Sequence, residues 1–123
     1  MSFDWNDFRT VAENLRSGEE AAKRTAISRI YYAVYHRARI HLESEDFLFR
    51  QFESSHRQIW DEYKDRGRTF AAVGHAGDRL RANRVKADYI NEIENIDALV
   101  ARSFELAENV FSYLTQVQKK SEN

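Results

Sequence analysis

The amino-acid sequence predicts an all-α fold, an up-and-down bundle of four to five helices, and three observations predict it. The 123 residues contain no proline and only four glycines. The residues that break helices and mark turns are nearly absent, so helices should be few and long. Apolar residues recur at steps of three and four along most of the chain, the period of a helix with one buried face. With 42% hydrophobic and 32% charged residues, the chain can form one core and remain hydrated elsewhere. A chain of this length buries roughly two-thirds of its unfolded surface, so residues 1–123 read as a single domain.

From Asp4 to Arg16, the residues Trp5, Phe8, Val11, Ala12 and Leu15 share one helical face, and Ser17-Gly18 supplies a C-cap. A second helix starts near Glu19 and runs to about His41 or Glu43, with Ala22, Ala26, Ile27, Ile30, Val34, Ala38 and Leu42 on its apolar face. It spans about six turns. After Ser44, the residues Phe47, Leu48, Phe52, Ile59, Trp60 and Tyr63 suggest a third helix, ended by Arg66-Gly67-Arg68. Thr69 to Ala87 contains Gly74 and Gly77, but Leu80, Arg84 and Ala87 make its second half helical. The last helix carries the strongest pattern. Ile93, Ile96, Val100, Ser103, Ala107, Val110, Leu114 and Val117 form a narrow seam, widened by Leu99, Leu106 and Phe111, with a short polar tail behind it.

Composition also excludes several kinds of chemistry. There is no cysteine, hence no disulfide, thiolate zinc site or cysteine nucleophile. The opening MSFDWNDFRT is acidic and aromatic rather than basic and apolar, unlike a signal peptide. Every long window is too polar for a membrane span, and a soluble protein of the reducing cytoplasm is expected. Glycine-rich phosphate loops are missing, since Gly74 and Gly77 lack the Walker spacing. A di-metal bundle site requires two Glu-x-x-His pairs, and only Glu53 to His56 supplies one. No metal and no cofactor are expected.

A net charge of −1 argues against coating nucleic acid through bulk electrostatics. Its distribution is informative. Ala21 to Leu42 holds Lys23, Arg24, Arg29, Arg37 and Arg39 with no acid. Arg66 to Lys86 holds six cations and one acid, Asp78. On the second helix Arg29, Tyr32 and His36 share a face, and on the fourth Arg81, Arg84 and Asp88 do the same. Guanidinium groups bind phosphate bidentately, and a tyrosine beside them offers a stacking surface or a hydroxyl donor. Two such faces brought together would make an anion site. The same residues allow a purely structural reading, with Tyr31, Tyr32 and Tyr35 as core and rim packing, Arg29 paired with Asp88, and His56 a satisfied structural histidine.

The stretch Arg24-Thr25-Ala26-Ile27-Ser28-Arg29-Ile30-Tyr31-Tyr32-Ala33-Val34-Tyr35-His36 resembles the second-helix signature of a compact prokaryotic branch of the HEPN family. Ser55-His56-Arg57 and Leu80-Arg81-x-x-Arg84-x-x-Ala87-Asp88-Tyr89 match further fragments in order. The resemblance covers essentially the whole chain. It implies a bundle that pairs as a homodimer and associates with RNA or a nucleotide. Many such domains are metal-independent ribonucleases of toxin-antitoxin or anti-phage systems, with a nucleotidyltransferase-like antitoxin or another defence protein as partner. Their motif is an arginine and a following histidine with four to six residues between them, near the end of the penultimate helix. Here that place reads Arg84-Val85-Lys86-Ala87-Asp88-Tyr89: the arginine matches and the histidine does not. The bare pattern also occurs at Arg29 to His36, Arg50 to His56 and Arg68 to His75, and only the first lies within a matching fragment.

The resemblance therefore implies Arg84, Asp88 and His36 as candidate catalytic residues, with Asp88 a base toward a ribose hydroxyl. Arg29, Arg81, Tyr32 and Tyr89 are the candidate RNA or phosphate ligands. The alternative is a non-catalytic protein-interaction or nucleotide-binding module of such a system. Dimerisation is also expected from aromatics able to lie on the surface, namely Trp5, Phe47, Phe49, Phe52, Trp60 and Phe70.

Overall fold

The computed structural model describes residues 2–122, with side chains through residue 118, and these form a five-helix bundle. The elements are α1 (Asp7–Leu15), α2 (Glu20–Ser44), α3 (Ser55–Lys64), α4 (Arg68–Tyr89) and α5 (Ile96–Glu122), with no strand among the described residues. The long helix α2 is central, packing against α1, α4 and α5 and touching α3, while α3 lies along α4. The all-α expectation holds, with five helices.

Each boundary has a local cause. Gly67, at φ 98°, is the N-cap of α4 in a conformation that glycine adopts without a Cβ clash. Gly18 is not a left-handed cap, because α1 already ends on Arg16. A Cβ at Gly18 would instead lie 2.8 Å from Ala22 Cβ, so the residue permits a tight turn into α2. Arg24 closes the far end of α4. Its guanidinium donates to the carbonyls of Ala87 at 3.1 Å, Ile90 at 2.6 Å and Asn91 at 3.1 Å, groups that the end of a helix leaves without intrahelical partners. Helix α5 begins at Ile96 rather than Ile93, and its backbone continues through the expected polar tail to Glu122. Its seam is as expected, with Val100, Ser103, Ala107, Val110 and Leu114 buried, joined by Phe104.

The third helix is shorter than its apolar pattern suggests. Residues 45–54 form a loop. The buried amide of Gln58 accepts from the Arg50 N–H at 2.7 Å and donates to the Arg50 and Glu53 carbonyls. Those backbone groups are thereby satisfied outside a helix. Ser54 then caps α3 through the Arg57 N–H. Phe47 and Phe49 meet edge to face and cover the core, and Phe52, at φ 66°, is fully exposed. Of the six aromatics named for a dimer surface, Trp60 is wholly buried and Trp5, Phe47, Phe49 and Phe70 are half-buried.

The two mid-helix glycines of α4 are explained by Trp60. A Cβ on Gly74 would stand 2.6 Å from the Trp60 carbonyl oxygen, and one on Gly77 would overlap the indole ring. The glycines let α4 approach α3 closely, and the ion pair between Lys64 and Asp78 ties the two helices alongside. On the opposite side α1 is fastened to α5 by Arg9, which pairs with Glu108 at 2.6 Å and covers the Phe111 ring, and by Arg16 over Phe104.

Candidate functional site at the crossing of α2 and α4

The crossing of α2 and α4 brings together the two basic faces that the sequence segregates. Tyr32 of α2 is their meeting point. The Arg29 guanidinium lies 5.1 Å from its ring centroid and the Arg84 guanidinium 5.5 Å from it. Both distances are within the range of cation–π attraction. Arg29 also covers Phe8 of α1 at 4.8 Å and donates to Ser28 Oγ at 3.3 Å. It makes no ion pair with a described carboxylate. Arg84 also covers the Tyr31 ring at 5.6 Å.

Asp88 is placed by both helices. It accepts from Arg84 at 3.4 Å and from Ser28 Oγ at 3.4 Å. The expected structural pair of Arg29 with Asp88 is therefore replaced by a pair of Arg84 with Asp88. The physical reason is spacing: Asp88 lies one turn after Arg84 on the same helix, while Arg29 turns toward α1. Arg84 is held almost out of solvent, with 11% of its side chain exposed. Its Nε is buried with no hydrogen-bond partner among the described residues. Such a donor is costly unless a ligand or water satisfies it.

A file of aromatic rings runs beside the arginines. Trp5 stacks on His36 at 3.6 Å between centroids, His36 meets Tyr35 edge-on at 4.9 Å, Tyr35 stacks on His56 at 4.4 Å, and His56 stacks on Tyr31 at 5.5 Å. Hydrogen bonds orient this file. Trp60 Nε1 donates to the Tyr31 hydroxyl at 3.1 Å, which lies 2.5 Å from His56 Nδ1, and Tyr35 bonds Ser55 Oγ at 2.7 Å. Arg39 Nε donates to His36 Nδ1 at 3.2 Å. The Glu53 and His56 pair does not converge as metal ligands, since Glu53 pairs with Arg50 and His56 turns to Tyr31.

Both histidines report the local field. Burial, then the charges of Arg39 and Arg29, lowers His36 from 6.5 to about 4. Burial, then Arg81 and Arg84, lowers His56 by the same amount. Near neutral pH both rings are uncharged. The unfolded chain takes up these protons near 6.5 and the folded chain only near 4. Stability should therefore be full above pH 6.5 and fall as the pH drops toward 4. Urea midpoints across that window are expected to decline less steeply in His56→Gln than in the wild type.

Of the residues singled out from the sequence, Arg29, Tyr32, Arg84 and Asp88 meet at one point. Arg81 stands near enough to Tyr31 and His56 to act on both electrostatically. His36 lies farther along, under Trp5. Tyr89 does not join the cluster: it is 72% exposed on another side of α4 and forms no ring pair among the described residues. Sequence reasoning set His56 aside as structural, although Arg81 and Arg84 of α4 both act on it electrostatically. Ser28, which links Asp88 to Arg29, carried no signal beyond its place in the matching fragment. Among the described residues, no group of three or more His, Asp or Glu side chains is placed to hold a metal, and no helix is long and apolar enough to cross a membrane.

Comparison with family models, curated proteins and solved structures returned no match to this chain. The fold and site by themselves define a helical bundle with a cationic, aromatic crossing of two helices. Such an arrangement is suited chemically to an anion attached to a flat ring.

Proposed function

We propose that this protein is a HEPN-type RNA-associated domain of a prokaryotic toxin-antitoxin or anti-phage system, acting in the cytoplasm. RNA phosphate is held at the α2–α4 crossing and a base stacks along the aromatic file. The placement of Tyr32 between Arg29 and Arg84 carries this reading. Two cations from different helices converge where one carboxylate neutralises only part of their charge, and the three HEPN-like fragments supply Arg29, Tyr32, His56, Arg84 and Asp88. Guanidinium forks suit phosphate oxygens, and aromatic faces suit unstacked bases. A homodimer is part of the reading. Val85, Tyr89 and Ile90 are exposed apolar residues at the end of α4, and a two-fold contact there would set two crossings side by side.

The neutral histidines favour binding over cleavage within one protomer. An imidazole with a value of about 4 is protonated to only about one part in a thousand at neutral pH, so it is a poor general acid. Any cleavage would rest on side-chain chemistry and arginine stabilisation of the phosphorane, without metal. Sedimentation velocity with a labelled single-stranded RNA, in buffer containing EDTA, tests these points together. The expected result is a dimer that carries RNA. A monomer would refute the assembly. A dimer that binds no RNA would favour a protein-interaction module, and one that binds only mononucleotides a nucleotide-binding module.

A further inference from the structure

We infer that His56 is a ligand of the same anion, donating a hydrogen bond from Nε2 as an uncharged imidazole, and that Tyr31, held by Trp60, is the positioning residue that makes it a donor. This rests on the proposed site at the α2–α4 crossing and adds to it a residue from α3.

The geometry is a relay of three side chains. Indole N–H groups only donate, so the Tyr31 hydroxyl is an acceptor toward Trp60 Nε1 at 3.1 Å. Its own proton is then free to point to His56 Nδ1 at 2.5 Å. A nitrogen that accepts a hydrogen bond carries no proton, so in a neutral ring the proton is on Nε2. Trp60 and Tyr31 are wholly buried, so water does not compete for this arrangement. Nε2 has no hydrogen-bond partner among the described residues and is not among the fully enclosed unpartnered atoms, so it is open to a ligand.

The groups around His56 favour the uncharged ring. Arg81 and Arg84 approach from α4, and Tyr31, Tyr32, Tyr35 and His36 face it from α2. On its own helix the nearest charge, Arg57, is turned out to Asp61. No described carboxylate pairs with His56. A neutral donor beside two guanidiniums adds a contact to phosphate without adding a third mutually repelling charge. The contact should not vary with pH around 6.5, the ordinary histidine value.

Nitrogen NMR of the wild-type protein tests the donor directly. Nε2 is expected to be protonated and Nδ1 bare, with inorganic pyrophosphate shifting the His56 Nε2 resonance. In Tyr31→Phe the lock is gone, so the neutral His56 ring should populate both tautomers and Nδ1 should gain part of the proton. RNA binding by that variant should weaken as the share of Nε2–H falls, and wild-type binding should stay flat around pH 6.5. His56→Ala should weaken RNA binding about threefold to tenfold, the range of one neutral hydrogen bond. A proton found on Nδ1, or RNA binding through Arg84 with the Nε2 resonance unmoved by pyrophosphate, overturns the inference and leaves the RNA reading standing. A pyrophosphate shift at Nε2 in a protein that binds no RNA supports the donor role and overturns the RNA reading.

Discussion

Trp60→Ala is expected to destabilise the protein by about 3–5 kcal/mol, the cost of emptying a large aromatic site that cannot collapse. Trp60 is fully buried, and it is the surface against which α4 was shaped. Its removal opens a cavity beneath Gly77 and takes away the donor to Tyr31. The same contact can be attacked from the other side. Gly77→Ala adds one carbon where the indole already stands and should cost about 1–3 kcal/mol by overpacking. Yet alanine in an exposed helix would be favoured over glycine by about 1 kcal/mol. The sign thus separates helix propensity from tertiary packing. Urea unfolding of both variants checks it, and a Gly77→Ala protein more stable than the wild type would mean that α3 and α4 are farther apart than described.

Arg84→Ala should weaken RNA binding roughly tenfold to a hundredfold, corresponding to about 1.5–3 kcal/mol for a charge-assisted phosphate contact. The slope of log affinity against log salt should flatten by about one unit. Arg84 is singled out because its guanidinium is nearly buried, lies near both Tyr31 and Tyr32, and keeps Nε without a partner among the described residues. Arg84→Lys should fall between, since an ammonium keeps the charge and loses the fork. Arg102 is the control. It is exposed on α5 and paired with Glu105 at 2.7 Å, so Arg102→Ala should change affinity little. If the two alanine variants bind alike while both remain folded, the site is wrong and the protein-interaction reading replaces it.

Fold and site were legible to different degrees. The seam of α5 could be read almost residue by residue, because a helix buried along one face repeats that face locally in its sequence. Phe104 and the arginines over Phe104 and Phe111 could not, since a cation covering a ring leaves no periodic mark. Phe47, Leu48 and Phe52 have helical spacing, yet Gln58, several residues later, satisfies the neighbouring Arg50 and Glu53 backbone groups in a loop. Gly74 and Gly77 made the start of α4 uncertain. In the structure they are helical, because the cost of a glycine is offset by the close approach of Trp60.

By itself, the sequence determined that this chain is all-α, that the break before α4 falls at Gly67, and that positive charge gathers on one face each of α2 and α4. All three are local properties, set by backbone preference and by residues one turn apart. Only the tertiary structure decided that those faces meet at Tyr32, that Asp88 answers Arg84 rather than Arg29, and that His56 rather than His36 faces the α4 arginines. Those outcomes depend on how α2, α3 and α4 cross, and a crossing is set by the shapes of buried side chains distant in sequence. Trp60 against Gly77 sets the approach of α3 to α4, and with it the place of Tyr31 and the nitrogen that His56 presents to solvent.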